Sequence, residues 1–194
     1  MVDGIHFIRG FLRDPAGVGS VWPSSAALAG RVARLGRAGY ARTVIELGPG
    51  TGAVTGRLLA SMPVEARLVA IERDPGFARH VRERFGDPRL TLMQGSSLEL
   101  LPRAVAERGA ADLIVSGIPF STLLPDEARA TLRAVAEALA PGGRFVAYQV
   151  RSHVERLATP LLGPPLAEVI EPLNVPPMRI YVWEREAGGG NERA

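Results

Sequence analysis

The chain contains neither cysteine nor lysine. The first absence excludes disulfides, zinc–thiolate centres and thiol chemistry, and it suits a reducing compartment. The second excludes a phosphate-binding P-loop, which requires G-K-[ST]. No basic and then apolar leader opens the sequence, and no apolar run approaches the roughly 18 residues of a membrane span. Neither a secretory signal nor a membrane-spanning helix is expected. The three histidines are scattered and no carboxylates cluster at ligand spacing, so no metal site is expected either.

What is present has the composition of a soluble globular protein, 46% hydrophobic and 22% charged. Its 194 residues most simply form one domain with a substantial core. The placement of charge says more than its total. Residues 1–45 hold six arginines against Asp3 and Asp14, a net of +4, whereas the whole chain carries +3 and residues 46–194 sum to −1. The basic character is N-terminal and suggests an anionic partner on that side, either nucleic acid or a membrane surface.

The β-branched run Thr43-Val44-Ile45 leads directly into Glu46-Leu47-Gly48-Pro49-Gly50-Thr51-Gly52. This predicts a strand tipping into a tight turn that opens a helix. Glycines let backbone approach a ligand closely and make positive φ available. The dinucleotide fingerprint is G-x-G-x-x-G, and here the third glycine comes one residue early. Glu46 decides the ligand's charge: a pyrophosphate would not tolerate a carboxylate there, whereas a ligand with an ammonium and a sulfonium would favour one. E-x-G-x-G-x-G therefore points to S-adenosylmethionine, and the chain resembles a class I methyltransferase. The resemblance implies a Rossmann-like α/β fold, with S-adenosyl-L-homocysteine as product.

From Arg42 onward strand and helix alternate. Strands are expected at 43–47, 67–72, 90–93, 112–116 and 143–150, and helices at 51–60, 75–85, 97–106 and 125–139. Pro141-Gly142-Gly143 is expected to end the last helix. The alternation predicts a mostly parallel twisted sheet with helices on both faces. Runs at 166–174 and 179–184 around Val175-Pro176-Pro177-Met178 predict a C-terminal antiparallel hairpin. The expected organisation is an N-terminal region of amphipathic and substrate-lid helices at 1–41, a cofactor-binding core at 42–186 and a disordered tail at 187–194.

Ligands of such sheets bind at the carboxyl ends of the strands. Glu72 ends the second strand, about 20 residues past the glycine turn, where a carboxylate can accept both ribose hydroxyls. Arg73, or Asp74-Pro75 after it, can flank the adenine edge. Gly95-Ser96-Ser97 follows the third strand. Class I methyltransferases often place an acid there for the adenine amino group, and Ser96 is a weaker acceptor. The fourth strand ends in Ser116-Gly117-Ile118-Pro119-Phe120. Amino-methyltransferases of nucleic-acid bases carry [ND]-P-P-[YF] or N-L-P-Y here, so Ser116 stands for the Asn or Asp that helps hold a planar amine. That weakens a base-modifying role.

On a helical wheel Ile5, Phe7, Ile8, Phe11 and Leu12 fall on one half of residues 3–13, opposite Asp3, His6, Arg9, Gly10 and Arg13. This is either a core-packing helix or an interfacial helix lying on lipid. Half-burying five apolar side chains gives roughly 4–7 kcal/mol gross, enough for weak and reversible membrane association. A helix at 24–37 follows, with Ser24 as its cap.

Gly19-Ser20-Val21-Trp22-Pro23-Ser24-Ser25, Glu46 to Gly52, Ser116 to Phe120 and Asn174-Val175-Pro176-Pro177-Met178-Arg179-Ile180-Tyr181-Val182-Trp183 together resemble the bacterial phospholipid N-methyltransferases, relatives of the ribosomal RNA adenine dimethyltransferases. The resemblance covers roughly residues 15–185. It implies stepwise methylation of phosphatidylethanolamine towards phosphatidylcholine, by a cytoplasmic enzyme held peripherally on the inner face of the membrane. The partners implied are the phospholipid and an anionic membrane surface met through residues 3–13. Expected cofactor contacts are Ser24, Ser25, Glu46, Gly48, Gly50, Thr51, Gly52, Glu72, Arg73, Gly95, Ser96, Ser97 and Ser116. Expected catalytic and headgroup residues are Ser116, Tyr148, Arg179 and Tyr181, with arginine suited to bidentate phosphate contact. His153 is a surface histidine rather than an assigned base, and the apolar loop 118–124 can line an acyl channel.

Two alternatives stay open: a methyltransferase acting on RNA or a soluble amine, and a cofactor-binding protein without turnover. The ribosomal RNA enzymes usually carry a further helical domain, whereas this chain ends ten residues after Glu184, which argues against nucleic acid.

Overall fold

The computed structural model describes residues 24–187. The amphipathic segment 3–13, the Gly19–Pro23 part of the P-S-S motif and nearly all of the expected tail lie outside the described residues.

The elements follow in the order α1 (Ala26–Leu35), a 3-10 turn (Ala38–Tyr40), β1 (Thr43–Leu47), α2 (Ala53–Ser61), β2 (Arg67–Glu72), α3 (Pro75–Arg84), β3 (Leu90–Gln94), α4 (Ser97–Arg108), β4 (Ala111–Ser116), α5 (Pro125–Ala138), β5 (Leu139–Gln149), α6 (His153–Leu162), β6 (Ala167–Glu171) and β7 (Met178–Glu184). The strands form one sheet in the order β3-β2-β1-β4-β5-β7-β6. β1 to β5 run parallel, and β7 lies antiparallel between β5 and β6. This is the Rossmann-like α/β arrangement with a C-terminal antiparallel hairpin. The strand order reverses at β1, between β2 and β4, which is where such sheets open a ligand crevice.

Strand alternation sends side chains to two buried layers. Ile45, Leu47, Ile114, Phe145, Tyr181 and Trp183 meet α4, α5 and α6 on one face. Val44, Leu68, Val115, Val146, Tyr148 and Ile180 meet α1 and α2 on the other. The parity of each residue therefore decides which side of the sheet its chemistry serves.

Three local expectations change. The cap of α1 is Ser25, whose hydroxyl accepts the Leu28 N–H at 3.1 Å, and not Ser24. Residues 139–143 extend β5 instead of ending a helix. Gly143 packs so close to β4 that a Cβ there would stand 2.7 Å from the Ala111 carbonyl oxygen, and the Gly142 N–H donates to Arg185. Finally, residues 153–162 form α6, a helix not expected from sequence. Val154 and Ala158 form its buried stripe, while Thr159-Pro160 near its end breaks the pattern.

The hairpin holds α1 in place. Asn174, buried in the β6–β7 turn, accepts the Ser25 N–H at 2.8 Å, and buried Glu171 pairs with Arg31 at 3.0 Å. We expect Asn174→Ala to leave that N–H and its own packing unsatisfied and to lower the unfolding free energy by about 1–3 kcal/mol; urea denaturation checks this.

Candidate active site

At the end of β1, Glu46 is fully buried and belongs to the α1–α2 face. Thr55, three residues into α2, donates its hydroxyl to Glu46 Oε2 at 2.7 Å. The other oxygen, Oε1, is buried with no hydrogen-bond partner among the described residues. Burial above all raises the Glu46 carboxyl to about 7; the Thr55 hydrogen bond pulls the other way and nearby Glu72 adds repulsion. A buried, half-satisfied carboxylate is a costly arrangement. It is what a site for a small cation requires.

The glycine turn reaches back to the second carboxylate. Gly48, Gly50 and Gly52 all have positive φ. The Gly50 N–H donates to Glu72 Oε2 at 3.0 Å and the Asp74 N–H to Oε1 at 2.9 Å. Burial raises the Glu72 carboxyl, and those two backbone donors oppose the shift. The two carboxylates thus flank the turn at the strand ends. Thr51 sits in the turn itself, and Arg84 donates to its carbonyl at 2.8 Å. Gly95 joins the same edge through its N–H to the Glu72 carbonyl. Ser96 precedes α4, opened by Ser97, and spends no side-chain hydrogen bond on capping it.

Other expected contacts are spent elsewhere. Arg73 is mostly exposed and pairs with Glu127 at the start of α5. Asp74 caps α3 by accepting the Gly76 and Phe77 N–H groups. Ser25 is occupied in capping α1.

The end of β4 requires a correction. Counting back from Pro119-Phe120, the Asn of N-L-P-Y corresponds to Gly117, not Ser116. Ser116 follows Ile114 in parity and so belongs to the opposite face from Glu46; its hydroxyl accepts the Ile118 N–H at 3.3 Å and braces the loop. Gly117 has no side chain because there is no room for one. A Cβ there would collide with the Tyr148 hydroxyl and come within 2.9 Å of the Gly48 carbonyl oxygen. Buried Gln149 donates Nε2 to the Ile118 carbonyl at 2.6 Å.

Tyr148 shares the Glu46 face, and its hydroxyl interacts with Ser24. Burial, then the nearby Glu46 and Glu72 charges, push its phenol well above the ordinary value. It remains a neutral hydroxyl. With Gly117, Pro119, Gln149, Arg151 and Met178 it lines an open cleft beside the glycine turn. Arg179 and Tyr181 are not in that cleft. In register they oppose Gln149 and Ala147, whereas Tyr148 opposes Ile180, so they lie across the sheet from Tyr148. Arg179 is held by Glu168 at 2.5 Å, and Tyr181 stacks on Trp183. The expected headgroup trio is therefore divided. His153 merely opens α6.

The sequence family described as "Methyltransferase domain" matches residues 44–143, half of the chain. The protein belongs to that family. It is a class I S-adenosylmethionine-dependent methyltransferase. The ornithine lipid N-methyltransferase of Singulisphaera acidiphila is 32% identical over 184 residues, covering 93% of this chain and 95% of that relative. The ribosomal RNA small subunit methyltransferase A of Parasynechococcus marenigrum is 43% identical over only 83 residues, 42% of this chain and 26% of that one. Among solved structures, the N-methyltransferase NodS of Bradyrhizobium japonicum in complex with S-adenosyl-L-homocysteine is 17% identical with a TM-score of 0.68, over 91% of this chain and 97% of that one. At that identity the likeness is one of fold.

The methyltransferase site fits its cofactor. Glu46 Oε1, a buried acceptor with no partner among the described residues, would hold an ammonium, and Glu72 would supply a second carboxylate for ribose hydroxyls. When bound, S-adenosylmethionine supplies an electrophilic methyl on a sulfonium. Sequence reasoning missed Thr55, Gly117 and Gln149. A polar residue directly after the run Phe145-Val146-Ala147-Tyr148 was the available signal for Gln149; the other two depend on the fold.

Proposed function

We propose that this methyltransferase transfers methyl groups to the amino headgroup of a membrane lipid. An ornithine-type headgroup is the first candidate and phosphatidylethanolamine, suggested by the sequence motifs, the second. The carrying observation is that its lipid-modifying relative matches almost from end to end, while ribosomal RNA methyltransferase relatives match only part of the chain, between 42% and 66% of it. The cleft supports this. A planar base amine is held by a side chain and a backbone carbonyl. Here the side chain is absent at Gly117, and the Ile118 carbonyl already accepts from Gln149. A tetrahedral aliphatic amine needs neither. Arg151 at the cleft mouth suits the acidic group that accompanies the amine in either lipid. Contact with an anionic membrane surface through residues 3–13, on the inner face of the membrane, belongs to the same proposal. Among the described residues no helix is long and apolar enough to cross a membrane.

In this reading the protein positions an amine that has shed its proton. Ser24 orients the Tyr148 hydroxyl, and that neutral hydroxyl accepts an amine N–H so that the nitrogen lone pair faces the methyl. Orientation of this kind is where most of the rate enhancement arises for a leaving group already activated. Tyr148→Phe is expected to lower kcat about tenfold, the loss of one hydrogen bond, with cofactor affinity changed less than about twofold. Steady-state kinetics and calorimetric titration of the cofactor check the two parts.

The test of the proposal is purified protein with S-adenosylmethionine and vesicles containing ornithine lipid, phosphatidylethanolamine or neither, followed by mass spectrometry of the extracted lipids. Mono-, di- or trimethylated headgroups are the expected product. Unmodified lipids alongside intact cofactor binding would overturn the lipid reading.

A further inference from the structure

The β6–β7 turn exposes large aliphatic side chains where a surface turn is normally polar. Leu173 is 74% and Val175 67% exposed, and Leu166, just before edge strand β6, and Ile170 on it are also exposed. Between the two, Asn174 is buried and bonded to the Ser25 N–H, while the Leu173 N–H donates to buried Glu171. The turn is therefore pinned from inside, and its two aliphatic side chains are held outward.

This corner adjoins the cleft. Met178, at the start of β7, lines it together with Tyr148 and Arg151, and Ser24 touches Tyr148. The described chain starts at the same corner, with Ser24 against Tyr148 and Ser25 held by Asn174. The sequence before it carries Ile5, Phe7, Ile8, Phe11 and Leu12 together with Arg9 and Arg13. Arg31 is neutralised by its pair with Glu171, whereas exposed Arg151 lines the cleft next to Met178 and forms no ion pair among the described residues. An apolar tip beside that cation is complementary to the acyl boundary and headgroups of an anionic bilayer.

We propose that the β6–β7 turn is a lipid-inserting wedge. Leu173 and Val175 enter the headgroup–acyl boundary of an anionic bilayer, and Asn174 ties the inserted turn to the first turn of α1, so that the cleft at Tyr148 opens onto the membrane surface. The inference rests on the lipid-amine reading for its purpose but is tested apart from it.

The experiment compares the full chain with the Leu173→Asp, Val175→Asp double variant. Val64→Asp, an exposed apolar position in the loop between α2 and β2, serves as control. Binding is read by flotation with phosphatidylcholine–phosphatidylglycerol vesicles. Methyl transfer is read on an amino lipid in those vesicles and on a short-chain, monomeric form of the same lipid. The double variant is expected to lose vesicle affinity at least ~10-fold and vesicle-lipid methylation in parallel, with transfer to the monomeric acceptor kept within about twofold and the control unchanged. Unchanged flotation of the double variant would overturn the wedge, as would an equal loss on the monomeric acceptor, which would mark a disturbed α1. Wild-type protein that methylates the monomer without floating would also overturn the wedge while leaving lipid-amine chemistry standing. Wild-type protein whose flotation depends on Leu173 and Val175 but which methylates neither lipid form would support the wedge and defeat the proposed function.

Discussion

Glu46→Gln is expected to weaken S-adenosylmethionine binding about a hundredfold while making the ligand-free protein more stable. The carboxylate is fully buried, with one oxygen held by Thr55 and the other without a partner among the described residues. In the free protein an unpaired buried charge is a cost, and a neutral amide is less costly to bury. Gln retains an oxygen for Thr55, so unfolding should become harder by about 1 kcal/mol, a rise in Tm of ~2–4 °C for a domain of this size. With the cofactor's ammonium present the balance reverses, because removing one partner of a buried charge pair costs about 2–5 kcal/mol. Calorimetric titration and thermal melts of the same preparation give both signs. A variant less stable than wild type and unchanged in affinity would place Glu46 in the scaffold instead of the site.

The same residue sets a pH dependence. Its carboxyl titrates near 7 in the folded chain and near 4.5 when unfolded. Between those values the folded state keeps a proton that the unfolded state has released. The stability of the ligand-free protein therefore falls as pH rises from about 4.5 through 7. Cofactor affinity runs the other way, increasing as Glu46 ionises and levelling above about pH 7.5. Both slopes should flatten in Glu46→Gln.

Gly117→Ala is the second large effect: methyl transfer should fall at least a hundredfold and stability by about 1–3 kcal/mol, the usual cost of overpacking. One added carbon meets the Tyr148 ring and hydroxyl on one side and the Gly48 carbonyl oxygen on the other. Tyr148 is packed in the core and bonded to Ser24, and the backbone of the glycine turn cannot move aside either. The double variant Gly117→Ala, Tyr148→Phe should therefore recover little, since the Gly48 contact remains. Recovery to near the Tyr148→Phe rate would show that only the hydroxyl is crowded and that the loop does not touch the cofactor turn.

These effects show which parts of the site can be read before folding. The turn from β1 into α2 and the pairing of Glu46 with Glu72 were legible because β-branched residues, alternating glycines and acids at strand ends are local signals. Helix α6 was not, since Thr159-Pro160 interrupts its apolar spacing although Pro160 sits harmlessly near its end. The division of Tyr148 from Arg179 and Tyr181 was also hidden. It follows from the β5–β7 register, which opposes Gln149 to Arg179, and no local pattern encodes a register across 30 residues. Ser116 and Gly117 differ by one position and therefore by one face of the sheet, so a motif aligned one residue early assigned the wrong side chain.

We propose that this site methylates an aliphatic lipid amine and not a base. The most direct measurement places both acceptors in one reaction: vesicles bearing ornithine lipid and phosphatidylethanolamine, small-subunit ribosomal RNA, and S-adenosylmethionine labelled in its methyl group, with label counted separately in the organic phase and in the RNA. Label is expected in the lipid, reduced about tenfold by Tyr148→Phe, and none above background in the RNA. Label in the RNA with unlabelled lipid would contradict the proposal.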